Sequence, residues 1–304
     1  MDPFAKTALA ESSKKLFTKK LEQFASFMPS PNKTVEYIVD NPEMALNALE
    51  KQSTITQTPA NKHMFYSAIV AWLKHTDNGK IRSEQIKQKW EKIQKDNWEM
   101  RRQRDLNNEP SAKQLEVATK IDWADVVNKR NSLVSGSIGK LLLSLYTYLP
   151  PVRADYFEVR INPPKTTIES KIPKNYVILG ESAAQSTLVI RDFKTATKYK
   201  EIKHVLPEPL YDEIKQSLAK SPRNYLFTMP TDNRRPFDRN SFSKWANAKL
   251  KEIFEVPMNL TSLRHLYISA IDFNNTRAIE LENIGKSMGH SVAMQKGYQW
   301  IKPQ

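Results

Sequence analysis

Residues 175–205 read NYVILGESAAQSTLVIRDFKTATKYKEIKHV, and they interrupt a chain whose apolar spacing is helical on both sides. Within this stretch, segments 175–179, 187–193 and 201–205 are short, rich in Val, Ile and Tyr, and bounded by turn residues. Such runs are predicted to be strands, here a three-stranded antiparallel sheet. Downstream, apolar residues return at three- and four-residue spacing over 209–219, 239–253, 262–272 and 278–288, which predicts helices. Upstream, 121–130 and 137–148 read the same way, the second closed by Pro150-Pro151. The expected class is therefore mainly α with a small antiparallel β-sheet, α+β.

A chain of 304 residues is long enough for two domains. DLNNEPSAK at 105–113 is polar, contains a proline and lacks periodicity, so a linker is placed at 105–118. Before it, 34–49 (broken by Asn41-Pro42), 61–75 and 83–104 have helical spacing, with Asp77-Asn78-Gly79 as a turn. The expected organisation is a basic arm or tail over 1–30, a helical domain over 31–104, and a second domain over 119–304. The arm carries Lys14-Lys15 and Lys19-Lys20 and ends at Pro29 and Pro31.

Composition narrows the function classes. With 39% hydrophobic and 26% charged residues the chain suits a globular protein, and no apolar run is long enough to span a bilayer. The opening MDPFAKTALAESSKK has no apolar core or cleavage site, so an intracellular location is expected. The absence of cysteine excludes disulfides, thiolate metal sites and cysteine nucleophiles, and five scattered histidines offer no zinc cluster. Net charge is +14, with 28 basic and 18 acidic residues in 119–304 against 19 and 15 in 1–118. An excess spread through both halves fits a nucleic-acid partner better than a membrane surface.

Five separated residues then fall in a meaningful order: Arg153 in LPPVRADYFEVR, Lys194 in VIRDFKTATKYKEIKHVLP, Arg264 in LTSLRHLYIS, His290 in IGKSMGHS and Tyr298 in KGYQWI. Over about 119–304 this resembles the tyrosine recombinase and phage integrase family. The strongest likeness lies in Leu263-Arg264-His265 before an apolar helix, and in Met288-Gly289-His290-Ser291 with Tyr298 eight residues past the histidine. The resemblance implies a helical core-binding domain followed by a catalytic domain that cleaves and rejoins DNA through a 3′-phosphotyrosine, without metal, ATP or other cofactor. Tyr298 would be the nucleophile, Arg153 and Arg264 the phosphate clamp, and His290 a further phosphate contact. Arginine suits the clamp because its planar fork donates two hydrogen bonds and stays charged. Lys194, in a hairpin, would protonate the leaving 5′-oxygen. Its neighbours Lys198 and Lys200 in the same hairpin are alternatives for that role, and Lys198 is also a candidate DNA contact.

The sequence also departs from the family pattern. Thr261 stands where the family commonly has histidine; threonine donates a hydrogen bond but cannot act as a base. Tyr156 occupies a position where an acidic residue is frequent, and the adjacent Asp155 is expected to do that orienting work. His265 is placed as a supporting residue. In the first domain Lys80, Arg82, Lys87, Lys89, Arg101 and Arg102 are candidate phosphate contacts, with a solvated, ion-paired helix face as the alternative. The expected partner is double-stranded DNA with inverted-repeat half-sites, bound by a homodimer or homotetramer. A lysine-rich, glycine-poor composition suits a virus or mobile element. Three other readings stay open: a type IB topoisomerase with the same covalent chemistry, a catalytically inactive DNA-binding relative, and an unrelated basic nucleic-acid-binding protein.

Overall fold

The computed structural model describes residues 3–52, 58–107, 110–171 and 174–300, and the chain divides into two compact units, Met1–Asn107 and Asn108–Gln304. The described residues of the first unit form only helices: α1 (Glu11–Phe27), α2 (Val35–Asp40), α3 (Pro42–Glu50), α4 (Pro59–His75), α5 (Asp77–Lys80) and α6 (Glu84–Leu106). Thr34, Thr58 and Thr76 open α2, α4 and α5, each hydroxyl accepting from the amide three residues on. Pro42 and Pro59 sit in the first turns, where proline costs no hydrogen bond. Helix α4 buries Phe65, Tyr66, Ala68, Ile69, Val70 and Trp72, residues on more than one face, and so forms the centre against which α1 and α6 pack. Trp90 of α6 is fully buried there, and its indole N–H donates to the Val39 carbonyl at 3.0 Å.

Two expectations change in this unit. The stretch 1–30, read as an arm or tail, instead supplies Phe4, Leu21, Phe24 and Met28 to the core, with Phe24 edge-on to Phe65 at 5.5 Å; residues 1 and 2 lie outside the described residues. The helical spacing of Leu21, Phe24 and Met28 marks a buried face, which the two preceding lysine pairs mask. Asp77-Asn78-Gly79, read as a turn, is a short helical turn, and Gly79 is tightly enclosed. A Cβ there would meet the Trp72 carbonyl oxygen and lie 2.6 Å from the Leu73 Cα, both backbone. Gly79→Ala is expected to destabilise this unit by about 2–3 kcal/mol. Denaturant titration measures this, and an unchanged midpoint would show that α4 and α5 can separate freely.

The second unit begins with α7 (Ala112–Lys120), which occupies much of the span read as a linker over 105–118; residues 108 and 109 lie outside the described residues. Ser111 and Gln114 form a reciprocal capping box, and Val117 and Ala118 enter the core. There follow α8 (Trp123–Ser132), α9 (Ile138–Tyr148), α10 (Lys165–Glu169), α11 (Ala196–Tyr199), α12 (Glu208–Lys220), α13 (Arg239–Phe254), α14 (Leu260–Ser269), α15 (Ala278–Ser287) and α16 (Val292–Lys296). Leu141, Leu142, Leu145 and Tyr146 of α9 anchor the core, joined by Leu210 and Ile214, Phe242 and Leu250, and Leu263 and Leu266.

The main sheet has four strands in the order β1 (Arg160–Ile161), β2 (Asn175–Ile178), β3 (Thr187–Ile190) and β4 (Ile202–Val205). Strands β2, β3 and β4 are antiparallel neighbours, with Tyr176 opposite Val189 and Leu188 opposite His204; Val177, Leu188 and Ile190 are core residues. The extra strand β1 runs parallel to β2, and two residues beside Pro163-Pro164 are too few to show a strand period. Strands β5 (Thr228–Met229) and β6 (Asp232–Pro236) add a polar, exposed hairpin that no hydrophobic alternation announces. The protein is thus mainly helical with small sheets.

Candidate active site

Tyr298 is enclosed by the side chains of four other residues in the second unit, drawn from three segments. The first is the loop after α9. Pro150 and Pro151 end the helix, and the turn is fixed from three sides. The Tyr146 hydroxyl donates to the Arg153 carbonyl at 2.6 Å, the Arg153 amide donates to Asp155 Oδ2 at 3.1 Å, and Arg264 Nη1 donates to the Pro151 carbonyl at 2.7 Å. Held this way, Arg153 Nη2 donates to the Tyr298 hydroxyl at 3.3 Å. Asp155 is buried and also pairs with Arg239. Burial pushes its carboxyl above the ordinary value, against the pull of Arg239 and of the Arg153 amide.

The second segment is α14, opened by Asn259, whose side chain accepts from the Ser262 amide. Arg264 is only 1% exposed, yet its guanidinium stands 4.9 Å from the centroid of the Tyr298 ring, and its Nε and Nη2 find no hydrogen-bond partner among the described residues. A buried cation with donors to spare is costly alone and favours an anion beside it. On the next position, His265 takes the role of a seat. Its Nδ1 donates to the Tyr298 carbonyl at 2.7 Å, its ring stacks on Trp300 at 4.7 Å and 10°, and one turn on the Ser269 hydroxyl accepts from the Trp300 amide at 2.8 Å. Since a carbonyl only accepts, Nδ1 carries the proton. Thr261, one turn earlier, is exposed.

The third segment is the turn from α15 into α16. Gly289 has a φ of +68°, a conformation glycine adopts without strain, and a Cβ there would press on Phe193 and Thr195 at 3.2 Å. The turn places His290 edge-on to Tyr298, ring centroids 5.4 Å apart at 87°, with both ring nitrogens buried and unpartnered among the described residues. Burial first, then the charges of Arg264 and Arg153, push the imidazole of His290 down to about 3. Burial also lowers His265 to about 4, despite its bond to the Tyr298 carbonyl. For Tyr298 burial opposes ionisation, but the charges of Arg264 and Arg153 outweigh it and hold the phenol below its ordinary value. Two positive groups thus favour the phenolate.

Lys194 stands apart from this cluster. It lies exposed in the β3–β4 connection, on the wall of a cleft of about 560 Å³ whose lining includes Arg153, Asp192, Lys194, Arg239, Asn240 and Thr261. Arg153 therefore belongs both to the cleft wall and to the tyrosine contact. Lys198, on α11, has its ammonium 5.3 Å from the Tyr199 ring centroid. In the first unit Lys80, Arg82, Lys87, Lys89 and Arg102 are each paired with a carboxylate, respectively Asp77, Asp40, Glu84, Glu43 and Glu99; Arg101 lies on the same helix as Arg102. The exposed pairs of Lys80, Lys89 and Arg102 are worth only about 0–1 kcal/mol and leave those cations able to exchange partners, whereas Arg82 and Lys87 are half-buried.

Sequence reading passed over Arg239, Asn175 and Asp192, which the folded chain brings to the edge of the cleft and its supporting loops. Arg239 reads as the first residue of a helix after its cap Asp238, and Asn175 as a strand start. Neither type is unusual in its place, so the sequence carries no signal for them. Among the described residues, no three His, Asp or Glu side chains gather as a metal-holding group.

No known protein family matches this sequence, and no curated protein does. Among solved structures, the chain is similar to a crystal structure of XerA recombinase, with 16% identity and a TM-score of 0.42, over 96% of this chain and 88% of that one. Likeness at that level assigns no residue a role. No helix among the described residues is long and apolar enough to cross a membrane.

The depressed imidazoles of His265 and His290 have a measurable consequence. A histidine whose folded pKa lies below its unfolded value leaves the unfolded state holding more protons between the two, so stability falls as pH drops from about 6.5 toward 4. His265 and His290 are each expected to remove about 2 kcal/mol by pH 5. Urea titrations at pH 7.5 and 5 measure the change, and His290→Asn should remove its own share of about 2 kcal/mol, with His63 and His204, also lowered by burial, contributing to the rest. A His290→Asn profile as steep as that of wild type would mean that the His290 ring is already charged when folded.

Proposed function

We propose that the chain is a site-specific DNA recombinase that cuts and rejoins strands through a covalent 3′-phosphotyrosine at Tyr298. One observation carries the reading: the Tyr298 hydroxyl lies 3.3 Å from Arg153 Nη2, and its ring lies beside the buried, under-used guanidinium of Arg264. A phosphodiester placed there would receive the donors that Arg264 and Arg153 hold ready, which is stabilisation aimed at the charge that grows in the transition state. The tyrosine oxygen attacks phosphorus and releases its proton to solvent. The bond to the 5′-oxygen breaks, and that oxygen takes a proton from the Lys194 ammonium.

The reverse attack by a 5′-hydroxyl restores the diester, so neither ATP nor another energy source is consumed. His290, neutral at working pH, acts as a hydrogen-bonding group to the phosphate and not as a cation. Thr261 can donate to the same phosphate from the cleft wall. Lys198 in the second unit, and Lys80, Arg82, Lys87, Lys89, Arg101 and Arg102 in the first, supply backbone contacts whose affinity falls with salt. Two-fold related copies would read inverted-repeat half-sites, as a dimer or tetramer. The test is a nicked duplex that traps the cleaved state. Wild type is expected to give a DNA-linked band on a denaturing gel, and binding without any such band would leave a DNA-binding protein that does not cleave.

A further inference from the structure

Two residues outside the tyrosine cluster join the same pair of loops. Arg239, at the start of α13, pairs through Nη1 with buried Asp155, while its Nη2 donates to the Asp192 carbonyl at 2.9 Å and to Asp192 Oδ1 at 2.8 Å. Its guanidinium rests 4.5 Å from the Phe157 ring centroid. Asn175, at the start of β2, makes a second bridge between the same segments. Its Nδ2 donates to the carbonyls of Asp155 and Phe157, both at 3.3 Å, and its Oδ1 accepts from the amides of Arg191 at 3.0 Å and Asp192 at 2.9 Å.

The bridged positions are close neighbours of two residues given roles above. Asp155 lies two residues after Arg153 and holds its amide, while Asp192 lies two residues before Lys194. On the far side of the lysine, the Thr195 hydroxyl donates to the Gly289 carbonyl at 2.6 Å, next to His290. Lys194 is thus an exposed side chain on a backbone tied at both ends. One end is tied to the Arg153 loop, the other to the His290 turn.

We propose that Arg239, supported by Asn175, is a positioning residue that fixes the span between Arg153 and Lys194, and so sets the transfer of the lysine proton to the leaving oxygen. This rests on the recombinase reading. A fork is required because one guanidinium must reach two carboxylates and a carbonyl at once, which an ammonium on a flexible stem cannot do with the same geometry. Small displacements of a proton donor are expensive in rate, on the order of a hundredfold for about 1 Å.

The experiment compares full-length wild type with Arg239→Met, Arg239→Lys and Asp192→Asn in single-turnover cleavage of nicked duplexes. One duplex has the ordinary 5′-oxygen at the scissile phosphate, and the other has a 5′-bridging sulfur. Sulfur leaves as a thiolate without needing a proton, so a defect confined to proton donation disappears on that substrate. Arg239→Met is expected to slow cleavage on the oxygen substrate by roughly a hundredfold and on the sulfur substrate by no more than about threefold. DNA affinity should stay within about twofold, and Arg239→Lys should recover only part of the loss. Asp192→Asn, altering a partly exposed carboxylate that the fold can lose, should show the same substrate contrast with a loss of about tenfold. It carries the test if Arg239→Met does not fold. Equal losses on both substrates, or a loss in affinity alone, would overturn the proposal. If wild type forms no adduct with either duplex, the recombinase reading itself fails, a different result from a wild type that cleaves and variants that match it.

Discussion

Tyr298→Phe abolishes covalent capture of DNA while leaving DNA affinity and folding nearly unchanged. The hydroxyl accepts a hydrogen bond from Arg153 Nη2 at 3.3 Å with the Arg264 guanidinium beside it, and the ring keeps its edge contact with His290 and its place beside His265 without the hydroxyl. The backbone of the segment is held independently, through His265 to the Tyr298 carbonyl and through Ser269 to the Trp300 amide. Loss of one exchangeable hydrogen bond should cost about 1 kcal/mol of stability. Loss of the nucleophile should reduce strand cleavage by at least on the order of 10⁴-fold. Adduct formation on a trapping duplex, scored beside thermal melting and a binding titration, separates the two. Residual cleavage within tenfold of wild type would place the nucleophile elsewhere.

Arg264→Met has the second large effect, and it divides activity from stability. The guanidinium is nearly sealed, and desolvation is the leading influence on it, pulling its pKa below the ordinary value. Replacing it with an apolar side chain of similar length removes that burden but leaves the Pro151 carbonyl without its 2.7 Å donor. These terms oppose each other, so unfolding free energy should change by no more than about 1 kcal/mol. Cleavage should fall on the order of 10²–10³-fold, the cost of removing a charge aimed at the transition state. The phenol of Tyr298 would also lose the larger of the two charges that favour its ionised form. Its pKa should rise, and the increase of cleavage rate with pH should move to higher pH in the variant. A variant that loses folding and activity together would make Arg264 a structural residue first.

What could be read beforehand follows from how local each feature is. LTSLRHLYIS and IGKSMGHS present Arg264, His265 and His290 in short motifs on or beside helices, and Tyr298 comes eight residues after His290. The helices α9, α12 and α13 repeat apolar residues over three turns or so, enough to show their period. By contrast β1 has two residues and β6 alternates nothing, so the fourth strand and the hairpin leave no pattern. Arg239 reaches Asp155 across 84 positions and Asp192 across 47, and only the folded chain brings those carboxylates together. The first thirty residues mislead for another reason. Their lysines read as a basic arm, while Leu21, Phe24 and Met28, just past the last lysine pair, face the core.

The most direct test is to locate the covalent bond. Wild-type protein trapped on a nicked duplex would be trimmed with nuclease, digested with trypsin and examined by mass spectrometry. The expected product is the tryptic peptide that starts at Gly297 and runs through the trypsin-resistant Lys302-Pro303 bond, carrying a nucleotide 3′-phosphate on Tyr298. A modification found on any other residue, Tyr267 or Tyr199 for instance, would contradict the assignment of Tyr298 as nucleophile.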